Sequence, residues 1–111
     1  MLHTNHFLDL DLAEQHPPLI ADSLPRLSRL QSLVEPQWGD LTVDAMKAVL
    51  ADHGEGLAPG AEGVCEVGGC ICRHGLGAMD STCGYIADVG EKTLHVRRGH
   101  GCTGHWTAYV M

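Results

Sequence analysis

With 111 residues the chain is one domain or a piece of a larger one, and five aromatic residues against fourteen glycines leave its core to Leu, Val, Ala and Met. A net charge of −7, with no basic run beyond Arg97-Arg98, excludes the phosphate-neutralising surface that nucleic-acid binding needs. No apolar run approaches the roughly 20 residues needed to cross a bilayer. His3, His6, Asp9 and Asp11 stand where a leader would carry basic and apolar residues, so no membrane partner and a cytoplasmic location are expected.

In chain order, residues 3–8 read as a short strand running into a loop, which Asp9, Asp11 and His16-Pro17-Pro18 keep irregular. From Ser23 to Val34 the apolar residues Leu24, Leu27, Leu30 and Val34 recur at three- and four-residue steps. Asp22 or Ser23 can cap this segment and Pro25 fits its first turn, so it predicts a helix. Residues 35–40 form a turn, after which Thr42 is placed to cap a second helix over 43–53 that Gly54 ends.

Glycines crowd the chain from Gly54 to Gly77, which implies an irregular loop with a short extended piece at Cys70–Arg73. Ser81–Asp88 and Lys92–Arg98 flank Val89-Gly90-Glu91 with the composition of a hairpin, and His105–Met111 supplies a last strand rich in aromatic and branched residues. The fold class expected is α+β, with two helices on an antiparallel sheet. Trp106, Tyr109 and Met111 suggest an apolar face that wants another layer.

Several short motifs occur in order along this frame: Thr4-Asn5-His6-Phe7, Ser23-x-x-Arg26-x-x-Arg29-Leu30, Leu50-x-Asp52-His53, Ile71-Cys72-Arg73-His74, Thr82, and Leu94-x-Val96-x-x-Gly99-x-Gly101-Cys102. Together they resemble the C-terminal part of the isopenicillin N acyltransferase-like family of N-terminal-nucleophile hydrolases, and more distantly the choloylglycine hydrolases. The resemblance spans nearly the whole chain and implies a partial αββα sandwich. In that family an N-terminal Cys attacks an amide or thioester carbonyl and its own α-amino group serves as base.

By this resemblance Asn5 takes the role of oxyanion donor, for which a neutral, directional carboxamide is suited. Arg26 takes that of the orienting cation, able to form two parallel bonds from the start of a helix. The plainer readings are a turn-forming Asn5, a structural His6, and Arg26 and Arg29 on a solvated helix face.

The departures from the family define the rest. Met1-Leu2 is no nucleophile, and Gly69-Cys70 and Gly101-Cys102 leave too little chain after them to build a two-sheet site. The chain therefore corresponds to about the last third of such an enzyme and is expected to be inactive alone. Its partners would be a complementary chain carrying the nucleophile, or further copies of itself, with a small amide or thioester substrate and no cofactor.

The alternative is a non-catalytic binding module stabilised by a metal. Cys65, Cys70, Cys72 and His74 are its ligand set, with His100, Cys102 and His105 following. Their spacing is irregular and contains no Cys-x2-Cys knuckle, so the metal reading stays secondary. Five cysteines (Cys65, Cys70, Cys72, Cys83 and Cys102) are an odd number, which makes reduced thiols the default and pairing among Cys65, Cys70 and Cys72 a lesser option. Asp52-His53 reads as helix termination, because neighbouring helical residues point in different directions.

Overall fold

The computed structural model describes residues 1–5, 8–17, 23–54, 69–74 and 80–111. His6, Asp22 and Cys65 lie outside these residues, as does most of the glycine-rich segment. The architecture is α+β, with helices α1 (Leu10–Gln15), α2 (Ser23–Val34) and α3 (Val43–Leu50), a short 3-10 turn at Glu35–Gln37, and strands β1 (Cys83–Asp88), β2 (Thr93–Arg98) and β3 (His105–Val110). Among the described residues no helix is long and apolar enough to cross a membrane.

The N-terminus departs from the expected strand. Residues 1–5 pair with no strand, because the sheet is built wholly from the two later hairpins in the order β1-β2-β3. Side chains hold this segment instead. Thr4 Oγ1 donates to the Ser23 carbonyl at 2.8 Å, and Ser23 Oγ donates to Thr4 Oγ1 at 3.1 Å. Helix α1, absent from the sequence reading, starts where the Asp9 carboxylate accepts the Leu12 N–H at 3.1 Å.

Helix α2 matches its expected bounds and buries Ser23 and Val34, while Leu24 stays exposed. Helix α3 begins as expected, with Thr42 Oγ1 accepting from Ala45 N at 3.1 Å. It ends at Leu50 rather than at residue 53, where the last turn tightens: Asp52 N donates to the Val49 carbonyl at 3.2 Å, a three-residue step in place of a four-residue one. The Asp52 carbonyl accepts the N–H groups of Ile71 (3.1 Å) and Cys72 (2.8 Å), so it serves another segment rather than the helix ladder. Gly54 then takes a positive φ of 92°, as a residue just past a helix often does.

Both strand pairs are antiparallel, with Gly84 opposite Arg97 and Arg97 opposite Trp106 across the three strands. Alternation of side chains separates residues that the sequence reading placed together. Trp106 lies on the face toward α3, with Lys47 Nζ 5.6 Å and Arg97 Cζ 5.5 Å from its ring centroid. Tyr109, opposite Leu94, lies on the other face, where it and Tyr85 are largely exposed.

The buried apolar residues are Val34, Val49, Cys70, Ile71 and Cys72, joined by buried Ser23, His53 and Arg97. The core is thus drawn from the helix ends and the 70–72 segment more than from the sheet.

Candidate metal centre and half-site

Four side chains far apart in sequence converge at the end of α3. The ligand atoms of His53, Cys72, His74 and Cys102 all lie within 4.8 Å of one another. His74 Nε2 is 3.0 Å from His53 Nε2 and 3.3 Å from Cys102 Sγ. The His53 and His74 rings meet edge to face at 4.9 Å between centroids, and His74 stacks on His100 at 4.6 Å. His53 and Cys72 are buried, while His74 and Cys102 are half-buried.

Each ligand is delivered by a fixed piece of backbone. Beside His53, the Asp52 carboxylate binds Arg29 with two bonds, Nε to Oδ2 at 3.0 Å and Nη2 to Oδ1 at 2.6 Å. The Asp52 carbonyl meanwhile receives the N–H groups that lead into Cys72. The 70–74 segment is held from its other side by Arg26, whose Nε donates to the Cys70 carbonyl at 3.1 Å and Nη2 to the Ile71 carbonyl at 3.3 Å. Arg73 and Ser81 exchange two further bonds, Arg73 N to Ser81 Oγ at 3.0 Å and Ser81 N to the Arg73 carbonyl at 2.7 Å.

Cys102 reaches the cluster because the turn between β2 and β3 packs against the last residue of α3. A Cβ at Gly101 would overlap the Leu50 carbonyl, so only glycine permits this approach.

Burial raises the Cys72 thiol above its ordinary pKa. The backbone N–H of Cys102 opposes this, the charge and thiol of Cys102 add to it, and the N–H of Gly101 opposes it again.

Comparison with family models, curated proteins and solved structures found no match. The residues themselves therefore carry the assignment.

Of the ligand set read from the sequence, the structure brings Cys72 and His74 together. Cys70 is not available to a metal, because it is disulfide-bonded, which also corrects the expectation that all the thiols are reduced. Cys72, Cys83 and Cys102 are free. Cys65 lies outside the described residues, and His53 and Cys102 take the remaining places. His53 was missed because its neighbour Asp52 made the pair look like a helix end. A signal was present in the short His-x-Cys and Cys-x-His spacings around residues 72–74 and 100–102, but it did not single out a partner near residue 53.

A second polar group forms at the start of α2. Arg26 Nη1 donates to Asn5 Oδ1 at 3.4 Å, and the Thr4–Ser23 hydroxyl pair lies beside it. Asn5 is exposed and Arg26 half-buried. With its oxygen turned to a cation, the Asn5 carboxamide keeps its N–H2 group as a donor to whatever approaches. Arg29, read as part of a solvated helix face, is instead paired with Asp52.

Proposed function

We propose that the chain is the C-terminal subunit or portion of an acyltransferase or amidohydrolase of the N-terminal-nucleophile type, inactive alone. The observation that carries this reading is the contact between Arg26 and Asn5, two residues the family resemblance assigns to one site. In it, a partner segment supplies a Cys whose sulfur attacks an amide or thioester carbonyl. As the S–C bond forms, the carbonyl oxygen gains charge and accepts the N–H of Asn5, while Arg26 fixes the carboxamide's orientation and adds positive potential. The amine or thiol leaves with a proton from the α-amino base.

The partner is a complementary chain or a second copy, and the exposed sheet face around Tyr85 and Tyr109 offers room for a further layer. No cofactor enters this scheme. The setting proposed is the cytoplasm, which the three free thiols suit and the Cys70 disulfide does not.

Co-expression with a Cys-led chain is the test. The combination is expected to cleave amides or thioesters, the isolated chain is not, and Asn5→Ala should lower the activity of the combination about 10²–10³-fold. Turnover by the chain alone would overturn the reading of an incomplete site, and a combination indifferent to Asn5→Ala would leave the non-catalytic binding module as the better reading.

A further inference from the structure

We infer that His53, Cys72, His74 and Cys102 form a closed, tetrahedral site for a structural zinc ion. This inference is independent of the acyl-transfer reading and differs in two ligands from the set suggested by sequence spacing.

Geometry is the first argument. Zinc bound at about 2.0–2.1 Å by nitrogen and about 2.3 Å by sulfur sets its tetrahedral ligand atoms roughly 3.3–3.8 Å apart. The observed contacts of 3.0 Å between the two Nε2 atoms and 3.3 Å from nitrogen to sulfur lie within a few tenths of this. No two of the four ligand atoms lie more than 4.8 Å apart, so the longest edge would shorten by up to about 1 Å on binding.

The second argument is hydrogen-bond capacity. His74 Nε2 faces both His53 Nε2 and Cys102 Sγ, yet one ring nitrogen carries either one proton or one lone pair. A proton shared between two acceptors, or a lone pair shared between two donors, makes weak bonds, whereas a cation among the four accepts a lone pair from each. Two thiolates and two neutral imidazoles are a zinc donor set, and four protein ligands leave no open position, so the role is structural.

The third argument is where the cluster sits. Cys72 and His53 belong to the buried core, and the site joins the end of α3, the 69–74 segment and the turn between β2 and β3. A metal there would tie three separate pieces of backbone together, a use small domains commonly make of one. The preparation around the ligands fits such a role: Asp52 is clamped by Arg29, the Cys70 and Ile71 carbonyls by Arg26, and Gly101 lies against Leu50.

The experiment uses the whole chain. Elemental analysis and titration with Zn(II) should give about one ion per chain, and Co(II) should show the intense visible bands of a tetrahedral site with thiolate charge transfer. Chelation should lower Tm by about 10 °C or more, and Zn(II) should restore it.

Cys102→Ser, at a half-buried position less prone to prevent folding than Cys72→Ser, should lose the cobalt charge-transfer intensity from one thiolate. Cys83→Ser, which removes an exposed free thiol, should change nothing. Failure to bind stoichiometric metal, an octahedral cobalt spectrum, a spectrum indifferent to Cys102→Ser, or a Cys72–Cys102 disulfide in the purified chain would each overturn the assignment.

Discussion

The two polar groups of this molecule differ in the way their parts are held. At the start of α2, Asn5 is exposed and reaches Arg26 through a single contact of 3.4 Å. At the end of α3, the four clustered Cys and His side chains are buried or half-buried, and the backbone that carries Cys72 and His74 is fixed by bonds from Arg26, Asp52 and Ser81. The first group has donor capacity turned outward and little to lose if altered. The second has its capacity turned inward, and the fold is built around it. Arg26 belongs to both, since it holds Asn5 with one nitrogen and the carbonyls before Cys72 with two others. One side chain therefore links a rim suited to recognising a partner or substrate with a centre suited to stability.

That contrast can be broken by substitution, beginning where the effect is greatest. His53→Ala removes a buried ligand, and urea denaturation of the zinc-loaded chain should report a loss of more than about 3 kcal/mol against the unaltered protein. A change under about 1 kcal/mol would mean the cluster does not organise the core.

Gly101→Ala comes next, because its Cβ overlaps the Leu50 carbonyl. A cost of about 1–3 kcal/mol is expected, together with weaker zinc affinity as Cys102 is pushed from place. Unchanged affinity would detach the turn between β2 and β3 from the site.

Arg29→Ala leaves the partly buried Asp52 carboxylate without its two-bond partner, and about 1–2 kcal/mol should be lost in thermal or chemical denaturation. Smallest of all on stability is Asn5→Ala, expected within about 0.5 kcal/mol. The same substitution carries the large kinetic effect predicted for the assembled enzyme, so stability and activity separate at this residue. At His53 they should fall together.

Much of the frame was legible along the chain. The three- and four-residue spacing of Leu24, Leu27, Leu30 and Val34 marked α2, the Thr42 hydroxyl marked the start of α3, and the glycine-centred turn at 89–91 marked the first hairpin. The contact between Asn5 and Arg26 was expected only from the family resemblance, since nothing in their spacing requires them to meet. The helix α1 was lost behind two prolines and two aspartates, one of which, Asp9, turned out to be its cap. The end of α3 was drawn too far because its last turn tightens at Ala51 and Asp52, before the Gly54 that the sequence marks as the stop.

By itself the sequence determined those elements whose causes lie within a few residues: periodicity, caps and turn glycines act locally and can be read locally. Only the tertiary structure decided which cysteines and histidines share a site. His53, the 72–74 pair and Cys102 come from three separate segments, and their meeting depends on a carbonyl, a guanidinium and a missing Cβ that no spacing rule contains. It also decided which face of β3 is covered: alternation alone separates Trp106 from Tyr109, but only the packing of α3 places Lys47 over Trp106 and leaves Tyr109 exposed.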